Sequence, residues 1–248
     1  MKTFDQLQEG VYDPNIFKAF FLAGGPGSGK SFVVRKTTGG LGLKVVNSDN
    51  AFEKLLKDAD FDLDFRDMSP ERTLERDVIR KRAKEVTSKM QKNFVAGRLG
   101  MIIDGTGAEY GKIETQKKLL QQLGYDTYMI FVNTSLDTAI ERNNQRARKL
   151  PLDIVKTYWN NVQSNIGKFQ NLFGSKNFIV VDNNNAKENV FNRVFKSVRK
   201  LATKKVNNYI AKQWIDNQLR MKKLSRGWLL KNMCYYNGVD CLGGALSS

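Results

Sequence analysis

Residues 24–31 read Gly-Gly-Pro-Gly-Ser-Gly-Lys-Ser, and no other stretch of the chain restricts its fold as strongly. The octapeptide satisfies the phosphate-binding loop pattern G-x-x-x-x-G-K-S/T at every position. Its flanks fit as well. The apolar run Ile16 to Ala23 enters it as a buried strand would, and Ser31 to Lys36 leaves it as a helix. Gly24, Gly25, Gly27 and Gly29, with Pro26 and Ser28 between them, let the backbone wrap a polyphosphate. Backbone N–H groups and the helix N-terminus then face the anion. Lys30 is placed to reach the β- and γ-phosphates, and the Ser31 hydroxyl to ligate Mg²⁺. ATP and Mg²⁺ are the implied cofactors.

Strand-like and helix-like segments alternate after the loop. Strands are expected at Leu43 to Asp49, Leu99 to Asp104, Tyr125 to Val132 and Asn177 to Val181. Helices are expected at Ala51 to Asp58, Pro70 to about Ala96, Lys112 to Leu123, Leu136 to Arg148, and from Pro151 to about Phe173. Ser69 and Pro70 form an N-cap and first-turn pair, and Gly124 closes a helix. Leu74, Val78, Ala83, Val86, Met90 and Phe94 recur at roughly helical spacing. The alternation, following the phosphate-binding loop, predicts an α/β P-loop fold with a parallel five-stranded sheet flanked by helices. Ligands of such sheets bind at the C-terminal ends of the strands. Residues 1–185 are expected to form this domain and residues 186–248 a basic helical extension.

Composition narrows the chemistry. The 248 residues contain no histidine, so carboxylates, lysines, arginines and a nucleotide must carry any reaction. The two cysteines, Cys234 and Cys241, make a poor zinc site without histidine. No apolar run approaches the length of a membrane span, and the N-terminus lacks a signal-peptide core. A soluble, cytoplasmic protein with no membrane partner is expected. The net charge of +16 is uneven: residues 196–232 hold eleven Lys/Arg and one acid. An anionic partner, nucleic acid or an acidic protein, fits that segment, and so does a merely solubilising helix surface. Within it Val206, Ile210, Trp214, Met221, Leu224 and Trp228 form an apolar stripe expected to pack on the main domain. Residues 242–248 are expected to be disordered.

Two acids stand where phosphoryl transfer needs them. Asp49, at the end of the second strand and beside the phosphate loop, can accept a proton from a substrate hydroxyl. Asp104 ends the third strand, a position for an acid that holds Mg²⁺. After the fourth strand, Arg142, Arg146 and Arg148 form a cationic cluster. It reads as a mobile lid that neutralises charge on the transferring group. Asp182 and Asn183, after the fifth strand, fall near the expected adenine edge. Asp60, Asp62, Asp64 and Glu71 imitate part of a calcium loop, but Phe65 occupies the position where the sharp turn requires glycine.

These elements resemble the zeta-toxin and polynucleotide-kinase branch of small P-loop kinases over residues 16–183. The resemblance rests on the octapeptide, Asn47-Ser48-Asp49-Asn50-Ala51-Phe52, Ile102-Ile103-Asp104-Gly105-Thr106-Gly107, and the arginine-rich segment before Pro151. It implies that Asp49, in an Asp-x-x-Phe element, is the base, and that Asp104 matches the acid of a Glu-Gly-Thr-Gly element. It further implies ATP-dependent phosphorylation of a hydroxyl on a nucleotide sugar or a nucleic-acid 5′ end. Aspartate in place of glutamate at 104 and the basic extension depart from that pattern and leave the acceptor open. A remodelling ATPase would place a glutamate after Asp104, where Gly105 stands. A catalytically silent module would not need Lys30, Ser31, Asp49 and Asp104 together.

Overall fold

The computed structural model describes residues 10–237. Five parallel strands form one sheet in the order β2-β3-β1-β4-β5. They are β1 (Lys18–Ala23), β2 (Lys44–Val46), β3 (Met101–Asp104), β4 (Asp126–Asn133) and β5 (Phe178–Asp182). The helices are α1 (Lys30–Thr38), α2 (Ser48–Asp58), α3 (Pro70–Ala96), α4 (Tyr110–Gln122), α5 (Leu136–Gln145), α6 (Leu152–Phe173), α7 (Glu188–Ala202) and α8 (Tyr209–Asn237).

The central strand is apolar on both sides because helices cover both faces of the sheet. Alternation along β1 sends Ala19, Phe21 and Ala23 to one core with Met129, Phe131, Val162 and Phe169. Phe20 and Leu22 go to the other, with Val33, Ile130, Phe191 and Val198. The α7 stripe Phe191, Val194, Val198 and Ala202 is buried in this second core. The segment 186–248 therefore opens with a helix that completes the domain.

A third, smaller core joins α2 to α3 through Phe52, Leu56, Phe61, Phe65 and Ala83. The start of α3 follows its local signals: Ser69 Oγ accepts from the Arg72 N–H at 3.3 Å, with Pro70 leading the first turn. Its apolar pattern behaves differently from expectation. Ala83 is buried, but Leu74, Val78 and Val86 are exposed. They lie off the narrow face that meets α2.

Helix α8 docks at the N-terminal edge of the sheet. Ala211 lies against Gly124, and Trp214 meets Phe17 edge-on at 5.5 Å. Only the beginning of the expected stripe packs. Val206, Trp214 and Ile215 reach the first core, whereas Ile210, Met221 and Leu224 are exposed. Farther along the helix Gln218, Leu219 and Lys222 are half-buried, and Lys222 lies 4.3 Å from the Tyr12 ring centroid. The Trp228 and Cys234 side chains, Cys241 and residues 242–248 lie outside the described residues. Among the described residues, no helix is long and apolar enough to cross a membrane.

Candidate active site

The loop from Gly24 to Gly29 joins β1 to α1 at the C-terminal end of the central strand. Its backbone is held from three sides. The Gly24 N–H donates to Thr106 O at 2.9 Å, which ties the loop to the exit of β3. Gly27 has φ +74, and a Cβ there would collide with the Ala139 backbone of α5. Gly29 has φ +80 and would strike the Asn183 amide. Only glycine meets both demands at these two positions. Asn183 is almost fully buried, and its side-chain amide donates to Ser28 O at 2.8 Å. It braces the loop instead of presenting an open edge to a base.

Lys30 opens α1 and folds back over the loop. Its ammonium donates to Gly24 O at 2.5 Å and Gly25 O at 3.2 Å. Burial pushes its pKa down, while Asp104 and then Asp49 favour the charged form. The Arg146 and Arg148 charges oppose them. Both acids and both arginines thus lie within electrostatic reach of one lysine.

The acids are joined by a residue with no chemical role in the sequence reading. Asn47 accepts from the Asp49 N–H at 2.6 Å and caps α2. Its amide donates to Asp104 Oδ2, also at 2.6 Å. This bridge matters because β3, not β2, lies next to β1. Asp104 pairs in register with Leu22, two residues before the loop. Asp49 is one strand farther away and stands in the first turn of α2, because helix begins at Ser48. Asp49, expected beside the phosphate loop, thus stands on the far side of β3 and still within electrostatic reach of Lys30.

The two carboxylates have opposite electrostatics. Burial raises the Asp104 pKa to about 6; Lys30 lowers it, and the Asp49 charge adds to the rise. Burial also acts to raise the Asp49 pKa, but Arg148 and Arg80 outweigh it and hold it at about 2. Arg80 Nη1 lies 2.5 Å from Asp49 Oδ1, and Arg148 Nη1 lies 3.4 Å from the same oxygen. Sequence reasoning missed Arg80. The signal was the four-residue spacing of Arg72, Arg76 and Arg80.

The three arginines of the expected lid separate. Helix α5 ends at Gln145, so Arg146 and Arg148 lie on the connection to α6. Arg148 joins Asp49 and also approaches Glu53 at 3.6 Å. Arg146 is exposed. Arg142 stays on α5, where Nη2 donates to Asn184 O at 3.0 Å. Its Nη1 lies near Gly29, buried and without a hydrogen-bond partner, as is Ser28 Oγ. Unsatisfied buried donors are costly. Here they border a loop whose geometry excludes side chains, and that combination fits an anionic ligand of polyphosphate type. Ser31 is exposed in the first turn of α1, and with Asp104 it supplies the hard oxygen donors that Mg²⁺ takes. A cleft of about 710 Å³ opens between β5 and α7, lined in part by Asp182, Asn184, Val190 and Arg193.

A model of the AAA domain family (AAA_33) matches residues 20–167, more than half of the chain. The chain belongs to this family. The match spans the loop, both acids and all three arginines. No match was found among curated proteins. Among solved structures, a candidate kinase from Chloroflexus aurantiacus aligns at 14% identity and a TM-score of 0.50. The alignment covers 74% of this chain and 97% of that one. The AvrRxo1-ORF1:-ORF2 complex with ATP aligns at 14% identity and a TM-score of 0.51 over 66% of this chain and 53% of that one. At these identities the likeness is one of fold, that of a P-loop kinase-like domain.

Proposed function

We propose that the protein is a phosphotransferase that moves the γ-phosphoryl group of ATP, with Mg²⁺, to a hydroxyl of a nucleotide sugar or nucleic-acid end. The observation that carries this reading is the Asn47 bridge. It ties a half-buried acid at the end of β3 to a second acid in the first turn of α2, both in the field of Lys30. The ATP-bound AvrRxo1 structure supports the choice of nucleotide.

When bound, ATP and Mg²⁺ supply an activated phosphoryl group with its charge partly neutralised. The chain does the rest. The loop N–H groups and Lys30 hold the phosphates, and Ser31 and Asp104 hold the metal side. Asp49 orients the acceptor hydroxyl and takes its proton. The acceptor oxygen bonds to the γ-phosphorus as the bond from that phosphorus to the bridging oxygen breaks. Arg142 and Arg148 counter the charge on the moving group, and Arg146 joins them when the connection closes. The cleft beside Asn184 and Arg193 offers room for the base.

Incubation with γ-labelled ATP and panels of nucleotide sugars and 5′-hydroxyl oligonucleotides tests this. Labelled acceptor that disappears with Asp49→Asn supports it. Release of free phosphate alone, unaffected by that substitution, overturns it.

A second reading makes the chain an ATPase or nucleotide-binding module that docks through its basic helices on nucleic acid or an acidic protein. Lys196, Arg199, Lys200, Lys204, Lys205, Lys212, Arg220 and Lys223 are exposed, which favours it. However, α8 sits at the opposite end of the sheet from the loop. Six-residue β1 alone separates them by about 20 Å. The docked part of α8 is therefore badly placed to deliver a substrate end to Asp49.

A further inference from the structure

The surface that does lead to Asp49 is α3. Arg72, Arg76 and Arg80 follow at four-residue intervals, so they share one face at steps of about 6 Å along the axis. Each guanidinium lies over a ring of the third core. Arg72 is 4.0 Å from the Phe61 centroid, Arg76 is 5.6 Å from Phe65, and Arg80 is 4.8 Å from Phe52. A stacked guanidinium is held flat while its edge donors remain free to bind. All three side chains reach solvent, at 48%, 27% and 32% exposure.

The row has an inner and an outer end. Arg80 touches Asp49. Arg76 and Arg72 pair with Asp77 and Glu75, exposed acids of the same helix. Surface pairs of that kind contribute little. A phosphate offers more acceptor oxygens and matches the guanidinium fork, so it displaces them readily.

We propose, building on the function proposed above, that Arg80, Arg76 and Arg72 are a rail for successive phosphodiesters of a single nucleic-acid strand whose terminal hydroxyl lies at Asp49. The spacing selects the substrate class. Consecutive phosphodiesters are separated by a whole sugar and meet consecutive arginines. The two phosphorus atoms of a nucleotide sugar share one bridging oxygen, so that diphosphate engages one arginine and leaves two idle. The contacts are to phosphates, so the rail is indifferent to base sequence.

Oligothymidylates of one to five nucleotides with free 5′ ends test the rail in two ways. With ATP and Mg²⁺, KM should fall several-fold at each added phosphate up to the third and then level. Arg80→Gln should flatten the first of these steps, Arg76→Gln the second, and Arg72→Gln the third. Without ATP, equilibrium binding of the pentanucleotide should weaken with salt. Each substitution should reduce the log–log slope by about 0.7, the single-strand value per phosphate contact. Arginines that merely roof the third core would leave the slope alone. A KM independent of length, or three variants that weaken every acceptor alike at constant slope, overturns the rail. Stepwise, slope-changing binding with no transfer to any acceptor keeps the rail and removes the transferase reading.

Discussion

Arg80 Nη1 donates to Asp49 Oδ1 at 2.5 Å and so joins the middle of α3 to the first turn of α2. Arg148 holds the same oxygen from the connection between α5 and α6. A carboxylate clamped at a pKa of about 2 is a feeble proton acceptor. Its basicity recovers when its arginines turn to other anions. Under the proposed function, the nucleotide phosphates draw off Arg148 and the acceptor phosphate draws off Arg80. The base is thus exposed only when both substrates are present, which restrains wasteful hydrolysis of ATP. Arg80→Gln should accordingly raise the ratio of ATP hydrolysis to acceptor phosphorylation, measured as free phosphate against labelled acceptor in one reaction.

Asp49→Asn should lower phosphoryl transfer by about 10²–10⁴, the usual share of a positioned acid or base. ATP affinity, read by calorimetry, should change little, because Asp49 stands one strand away from the loop. A variant that turns over a confirmed acceptor at the native rate removes Asp49 from the chemistry.

Lys30→Ala should abolish tight ATP binding and leave the fold intact. The ammonium is buried against the Gly24 and Gly25 carbonyls, and that burial already works against its charge. Calorimetry and a melting curve on the same sample separate lost binding from lost folding.

Asp104→Asn should stabilise the ligand-free protein while removing its response to Mg²⁺. The folded pKa, about 6, lies above the ordinary 3.8. Folding therefore takes up a proton between those values, and ionised Asp104 destabilises the fold above pH 6. Asparagine keeps the Asn47 contact without the charge. A gain of roughly 1–3 kcal/mol is expected at pH 7.5, shrinking to nothing near pH 4. Chemical denaturation at the two pH values measures it.

Alanine at Arg142 or Arg148 should lower kcat more than ATP affinity. Arginines that act in the transition state are worth about 10³-fold or more in related NTPases. Single-turnover rates at saturating ATP provide the check. If neither variant slows the chemical step, the two side chains serve only packing and charge balance.

Local signals in the sequence were sufficient wherever structure is decided locally. The glycine loop, the Ser69–Pro70 start of α3 and the end of α6 at Phe173 all stand where short-range chemistry puts them. What could not be read depends on neighbours distant in the chain. Asn47 looked like the end of a strand, but its side chain caps α2 and bridges to Asp104 across 57 residues. The place of Asp49 follows from strand order, which no local pattern encodes. Leu74 and Val78 match a helical period, yet they face solvent because α2 covers only a narrow strip of α3. Charge density drew attention to residues 196–232, whereas Arg72 and Arg76 are offset by the neighbouring acids Glu71, Glu75 and Asp77 at the start of α3.

The connection that carries Arg148 is stitched to the segment before α3. Lys149 N–H donates to Leu63 O at 3.3 Å, Phe65 N–H donates to Lys149 O at 3.1 Å, and Lys149 approaches Asp64 at 3.8 Å. Under the proposed function, the wall over the nucleotide and the wall beside the acceptor are therefore joined by this pairing into one piece, like two fingers of a single glove. If that piece swings when either substrate arrives, it carries both walls. Affinity for ATP and affinity for the acceptor then rise together and by the same factor, since coupling between two bound ligands is reciprocal.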